Sequence, residues 1–568
     1  LPFLQPYHYY PILSFYSEWL AFALGLAAAM VLLSKQAWRE TELPVVAIAP
    51  VGLAAVLGLQ VALGRVPYFE QALTAVLYLL WAALLVLLGH ALRRLCTLAV
   101  VATWLAWFLV AGGVSSAIVS LLQYYQLSTP LDFLIGRSVA FQVYGNLGHI
   151  NNYAAYITLA LASAAYLYGC RRLPGVLAAG CIALFLLVLA LTGSRSSWLY
   201  LGALTALAWL LYARRRDTDS RSLAAVSAGL LPGFIIAQWV VLLPFMAPPE
   251  DRLVTSVDRL FQVANGLEPR LQLWGEAWRL FLTAPVLGAG FGQFTWHHFL
   301  DLAATGATAA SGIFNHAHNI VMQLLAETGL AGALIVVCAI ALWFADLRRA
   351  RFDLAGWWLL ALLAVIGIHS LLEHPLWYSY FLGIAALALG LGAERAFVLR
   401  FSGAARGVTA LAIIAGWLNL AAMLPTYREF ERLVFLPERS AARPADDAAF
   451  AAAITGLYRE PLLVPYVELA IAYSITVDAD QLAEKLALAD RVVHFAPVSV
   501  VAYRYALLLA LAGSREAALA QLERSLRVYP DEAGEVAAQL EILARSRPEV
   551  FMPLLELTAA GSARAVNP

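Results

Sequence analysis

About twelve stretches of some 20 mostly apolar residues recur between positions 13 and 424, separated by short polar or basic connections. They fall at roughly 13–34, 45–64, 69–91, 96–120, 152–169, 173–192, 197–212, 222–245, 319–345, 354–372, 377–394 and 405–424. A helix of that length crosses the hydrocarbon core of a bilayer. Inside lipid, backbone polar groups have no water to bond, so repeated runs of this kind fold as helices packed on one another. Composition agrees: 62% of residues are hydrophobic, only 13% are charged and the mean hydropathy is +0.75. That charged share is about half the ordinary globular value. The 16 Trp and 24 Tyr suit a membrane–water interface. A length of 568 residues, which would otherwise mean three or four soluble domains, reads instead as an all-α polytopic membrane protein.

The 37 basic and 37 acidic residues balance, so no global charge points to nucleic acid. Cys96, Cys170, Cys181 and Cys338 lie in or beside apolar runs, without disulfide or metal-ligand spacing. The start, LPFLQPYHYYP, lacks the basic flank and cleavage site of a signal peptide and reads as the end of a helix leaving the bilayer. One further span is therefore expected upstream of Leu1.

The connections sort by charge. Arg93-Arg94, Arg171-Arg172, Arg214 to Arg221, Arg348 to Arg351 and Arg395 to Arg406 fall on one side, which the positive-inside rule assigns to the cytoplasm. The other side receives 121–151, Gly193–Ser196, a long loop at 246–318, the turn at 373–376 and everything beyond about 425. This gives a transmembrane domain over 1–425 and a helical domain over 426–568 outside the cytoplasm. In the latter, Ala506, Leu509, Ala518, Leu522 and Pro530 fall in the register of a tetratricopeptide-like helix pair. Such a tail holds a protein partner or serves as a lid that stabilises the membrane part.

The conspicuous polar clusters all lie on the non-cytoplasmic side: GNLGHINNY (145–153), TGSRSS (192–197), EPRLQLWGEAW (268–278), NHAHN (315–319) and HSLLEHPLWYSY (369–380). Ionisable groups at membrane depth are costly and mark function. Clusters on one face predict one cavity, with no path across the bilayer. Arg195 is either a snorkelling residue or, with Ser194, Ser196 and Ser197 leading into a helix, an anion site. Arg270, at the start of a helical stretch, is a second anion candidate; alone it would be a surface residue. His318 either caps a helix or acts as a base, since histidine as a residue type titrates near neutral pH. His316 with His318 offers a zinc reading, but spacing places no third ligand, so no metal is expected. Glu373 and His374, followed by Trp377, Tyr378 and Tyr380, form either a capped turn with aromatic flanks or a cavity wall. The GAGFG run (288–292) follows no strand and reads as a flexible turn.

In order along the chain, these segments resemble the bacterial O-antigen ligase and polymerase superfamily, and within it the protein O-oligosaccharyltransferases of the PglL type. His318-Asn319, nine further residues, Gly329 and then Gly332 resemble the superfamily signature. TGSRSS and the Arg270 segment resemble its two arginine positions. The stretches at 145–153 and 369–380 and the opening PYHYYPILSFYSEW resemble the transferase branch. The chain departs from the branch pattern at His149, where an amide side chain is usual.

The resemblance implies a multi-pass protein of the bacterial inner membrane that works on its periplasmic face without a cofactor. The donor would be an undecaprenyl-pyrophosphate-linked oligosaccharide and the acceptor a Ser or Thr hydroxyl of pilin or another protein. His318 would be the base, and Arg195 and Arg270 would bind pyrophosphate. His316, Asn319, Glu373, His374, Tyr378, Tyr380, Asn146, His149 and Asn151 would support them. The rivals are an O-antigen ligase with lipid A core as acceptor, a lipid-linked oligosaccharide transporter and a structural scaffold. The spans carry few acids, which opposes a transport path, and a scaffold leaves the arginines and HAHN unexplained.

Overall fold

A computed structural model describes residues 1–34, 37, 41–136, 143–246, 268–305, 312–348, 352–399, 402–435 and 447–566. Parts of the 35–40, 137–142, 246–318 and 426–446 regions read from the sequence lie outside these residues. Among the described residues, nine helices are long and apolar enough to cross a membrane. They include Phe15–Leu33, which begins with α1 (Phe15–Ala29), Val45–Ala62, which ends with α2 (Ile48–Ala62), and the helices α3 (Phe69–Leu95) and α4 (Leu98–Tyr124). The helix α5 (Ile150–Gly169) precedes α6 (Gly175–Thr192) and α7 (Ser196–Arg215). The helices α8 (Thr218–Ala228) and α9 (Leu230–Val240), which meet at Gly229, together form a span over 218–240 where one was expected at 222–245.

The centre of the bundle is α5. Every residue from Asn152 to Leu167 is buried, because α4, α6, α7, α8 and a later helix, α13 (Leu354–Ser370), surround it. Its alanines make this possible, since small side chains let helix backbones approach in the absence of a hydrophobic drive between helices. A second close contact joins α3 to α14 (Ser379–Gly392), where a Cβ on Gly390 would lie 2.1 Å from the Val86 carbonyl oxygen. The helices α13 and α14 have 17 and 14 residues, short for spans but interior to the bundle.

Between α9 and α13 lie α10 (Glu268–Thr283), α11 (Phe294–Thr305) and α12 (Ile320–Leu347). The last is broken at Gly329, whose φ of 62° and ψ of −161° leave the helical region. The break frees Leu330 N–H and Ala331 N–H, which donate instead to Pro285 O at 2.8 Å and Val286 O at 3.0 Å. The carbonyls they would have met, Ala326 O and Glu327 O, accept from Ala289 N–H at 2.9 Å and Gly290 N–H at 3.2 Å. The segment 285–290 is thus spliced into the hydrogen-bond ladder of α12, satisfying backbone groups that lipid could not. The GAGFG run is therefore a packed brace and not a flexible turn: a Cβ on Gly288 would fall 2.2 Å from the Glu327 backbone.

The basic helix ends lie away from this brace and pair with acids. Arg93 binds Glu394, Arg94 lies 3.2 Å from Glu42, and Arg395 lies 2.6 Å from the buried Asp346. Two short strands, β1 (Thr41–Pro44) and β2 (Ala396–Leu399), pair antiparallel there and add to the all-α expectation.

The helix α15 (Ser402–Phe430) runs on past position 425. It is followed by α16 (Asp447–Gly456), α17 (Val464–Ala472), α18 (Leu482–Phe495), α19 (Ser499–Leu511), α20 (Arg515–Val528), α21 (Ala533–Ser546) and α22 (Pro548–Val566). Ala506, Ala518 and Leu522 are fully buried where α19 and α20 pack together. Among the described residues, these tail helices dock onto the bundle at several places. Tyr68, before α3, donates to Glu468 at 2.6 Å, and Arg491 binds the same carboxylate at 2.7 Å. Phe299, Leu302 and Ala303 of α11 pack with Val492, Val501 and Val528.

Candidate active site

Three other polypeptide segments meet one carboxylate, and a fourth reaches it through Asn151. Glu373 ends the turn that follows α13, held by its N–H to His369 O at 2.8 Å, and its side chain is 95% buried. Its Oε2 accepts from His318 Nδ1 at 2.7 Å. Its Oε1 accepts from Arg270 Nη2 at 2.7 Å and from Asn151 Nδ2 at 2.8 Å. Asn151 Oδ1 in turn accepts from Ser194 Oγ at 2.8 Å, in the turn that carries Arg195. A buried charge is tolerated only when paired and hydrogen-bonded, which these partners provide.

Local sequence sets each arm. His318 sits at φ 50°, an uncommon left-handed conformation for a residue with a Cβ. Asn319 fixes it there by capping α12, its Oδ1 accepting from Val321 N–H and Met322 N–H at 3.0 and 3.3 Å. Arg270 and Asn151 occupy the first turns of α10 and α5, and Arg195 is the N-cap of α7. Helix N-termini and arginines on one side of the cluster form an environment suited to anions.

Burial would push the Glu373 carboxyl up, but the hydrogen bond and charge of His318, then Arg270, hold it down at about 2. Glu373 is thus ionised over the whole working range. Burial and the adjacent His318 push His374 down to about 4. His316 lies well below the ordinary histidine range, through burial and then the neighbouring His374 and His318. His149 is lowered by burial, opposed by Glu373. With Nδ1 given to Glu373, His318 keeps Nε2 available to accept a proton.

An aromatic wall flanks the cluster. His316 and His374 stack at 4.3 Å, His374 stacks on Tyr378 at 5.7 Å, and Tyr378 stacks on Tyr380 at 5.3 Å. The wall continues inward through Tyr380 to Phe3, which stacks on Tyr156 at 3.9 Å.

The sequence reading is thus redistributed. His318, Arg270, Glu373, Asn151, His374 and His316 come together, with Asn319 as the cap. Tyr380 is buried behind Tyr378 and lines no open surface. Asn146 binds loops: its Nδ2 donates to Leu4 O and Leu134 O, and its Oδ1 accepts from Gly136 N–H at 2.9 Å. His149 is the N-cap of α5, its Nδ1 accepting from Asn152 N–H at 3.3 Å. Behind the site lies a chain that sequence reasoning missed: His369 joins Tyr200 at 3.0 Å and Asn152 at 2.9 Å. Only HSLLEH, where His369 is four residues before Glu373, hinted at it.

His318, Glu373 and His374 also offer ligand atoms within 4.8 Å of one another, the one such group of three among the described residues. A cation there would have to compete with Arg270 and His318 for both Glu373 oxygens.

The family described as O-Antigen ligase matches residues 180–337, which carry Arg195, Arg270 and His318. The family described as virulence factor membrane-bound polymerase, C-terminal, matches residues 357–541, which carry Glu373. A general O-oligosaccharyltransferase of Acinetobacter baylyi is 26% identical over 402 residues, covering 69% of this chain and 67% of that protein. A ComP-specific O-oligosaccharyltransferase of the same organism is 23% identical over 333 residues, 57% of each chain. The chain is thus similar to the O-antigen ligase family and to protein O-oligosaccharyltransferases, likenesses that support a glycosyltransferase of the PglL type.

Proposed function

We propose that the enzyme transfers an oligosaccharide en bloc from undecaprenyl pyrophosphate to a Ser or Thr hydroxyl of pilin or another protein. The observation that carries this reading is the Arg270–Glu373–His318 array, in which one buried carboxylate orients both a base and an anion-binding group. His318 Nε2 takes the proton of the acceptor hydroxyl as its oxygen attacks the anomeric carbon. The bond from that carbon to the diphosphate oxygen breaks, and undecaprenyl pyrophosphate leaves with the electron pair. A single displacement inverts the anomeric centre. Arg270 uses one of its five N–H donors on Glu373 and keeps others for the departing diphosphate. Arg195 adds a second positive group. Together they stabilise charge where it develops, an effect of about 3–4 kcal/mol per well-placed donor.

The basic helix ends face the cytoplasm under the positive-inside rule, so the site and tail face the periplasm of a bacterial inner membrane. The tetratricopeptide-like helix pair of the tail, α19 and α20, would hold the acceptor protein. Cation replacement by arginine makes the reaction metal-independent.

The test is a purified enzyme in detergent with an undecaprenyl-pyrophosphate glycan and a purified pilin, with and without a chelator. Chelator-insensitive glycosylation with inverted linkage is expected. Activity lost on chelation and restored by a divalent ion would assign His318, Glu373 and His374 to a metal. Transfer to lipid A core alone would favour the rival O-antigen ligase reading, which the match at 180–337 keeps in view.

A further inference from the structure

The helix that carries Arg270 is tied to its neighbour by a buried ionisable pair that the chemistry above does not use. Glu276 of α10 meets His298 Nδ1 of α11 at 2.7 Å, and both side chains are only 4% exposed. The second oxygen, Glu276 Oε1, is buried without a partner. His298 is fixed in turn, stacked on Phe294 and edge-on to Phe314. One turn further along, Arg279 meets Asp301 at 2.8 Å, but Arg279 is 57% exposed, and exposed pairs hold little. The buried pair is therefore the polar constraint on how α10 lies against α11. Glu276 is six residues from Arg270, about 9 Å along the helix axis, so a small tilt at the pair is carried to the guanidinium.

The outer face of α11 is also fixed. Phe299 and Leu302 pack into the tail, and Arg527 Nη1 donates to Ala303 O at 3.2 Å. The helix α11 is thus clamped on one side by the tail and grips α10 on the other. A buried polar pair costs more to dehydrate than a packed apolar contact, so stability alone is a poor reason for it.

We propose that Glu276 and His298 are positioning residues that set Arg270 at the donor diphosphate. This rests on the reading of Arg270 as a diphosphate-binding group. Misplacing such a group by about 1 Å costs on the order of 100-fold in rate. Glu276→Ala should lower kcat/KM for the lipid-linked donor by about 10- to 100-fold and leave the acceptor KM unchanged. Glu276→Gln, whose side-chain oxygen still accepts from His298, should restore most of it.

The deciding experiment is a double-mutant cycle on the full-length enzyme in detergent, using undecaprenyl-pyrophosphate glycan as the varied substrate. Glu276→Ala is made alone and in an Arg270→Ala background; His298→Gln serves if Glu276→Ala folds poorly. If the pair acts through Arg270, the second change adds less than about twofold to the loss caused by Arg270→Ala. Independent, multiplicative losses, or wild-type donor kinetics in Glu276→Ala, would overturn the positioning role while leaving Arg270 in place. Wild-type donor kinetics in Arg270→Ala would instead sink the diphosphate reading, and the positioning role with it.

Discussion

Glu373 accepts from His318 Nδ1 with one carboxylate oxygen and from Arg270 Nη2 with the other, both at 2.7 Å. The two contacts make one side chain responsible for the tautomer of the histidine and for the reach of the arginine. On the proposed mechanism, His318 held this way presents Nε2 to the acceptor hydroxyl. The stacked His316 and His374 stay uncharged beside it, since burial disfavours their protonated forms. One of three neighbouring histidines is thus singled out by its carboxylate partner.

If that division of labour holds, His318→Ala loses about 100- to 10,000-fold in turnover, the range of a missing general base. Glu373→Gln keeps a hydrogen bond but not the charge, and its loss should be smaller in kcat and larger in donor KM, because Arg270 loses its anchor. Steady-state kinetics on purified variants read both. A His318→Ala enzyme turning over at the wild-type rate would remove the histidine from the chemistry.

The stability contributed by His374 and by Glu373 should fall as pH is lowered, each in its own window. The unfolded chain takes up a proton on His374 near 6.5, whereas the folded protein resists until about 4, so stability drops across that interval. Glu373, held near 2 against an ordinary 4.5, contributes stability that is present above 4.5 and lost as pH falls towards 2. That second shift corresponds to about 3 kcal/mol. Melting temperatures in detergent from pH 7.5 to 3 test this. Glu373→Gln should flatten the lower window and His374→Gln the upper one; an unchanged profile in both would contradict the assignment.

The broken helix makes a structural prediction. Gly329 has φ 62°, and a Cβ there would lie 2.5 Å from Val286 O. Gly329→Ala must either strain the backbone or expel the segment spliced into α12, at a cost of about 1–3 kcal/mol. The variant should fold in lower yield and melt earlier, measured by thermal shift in detergent. Unchanged stability would mean that the splice contributes little.

Much of this was legible in the sequence because lipid imposes a simple rule. Apolar runs of bilayer length become helices, and the stretch expected at 152–169 is indeed the buried α5. Polar groups that such runs cannot absorb gather at one end, so His318, Arg270, Asn151 and Glu373 could be grouped before any contact was known. What sequence could not supply was rank. Glu373 read equally as part of a capped turn or of a cavity wall, because its centrality depends on three other segments arriving within 3 Å. Asn146 and Tyr380 lie in the same polar stretches but turn towards loops and core, which spacing does not reveal. The GAGFG run lacked any strand signal, since its partner is the gap in a helix broken at Gly329. Glu276 and His298 sit 22 positions apart on two helices, and only their packing brings them together.

The central claim is tested most directly by the intact mass of a co-expressed pilin, in cells that make one defined undecaprenyl-pyrophosphate glycan and lack other ligases. A discrete mass increase equal to that glycan, present with the wild-type enzyme and absent with membrane-inserted His318→Ala, is the predicted result. An unmodified pilin with the glycan on lipid A core, or an equal mass shift with His318→Ala, would contradict the acceptor or the base, respectively.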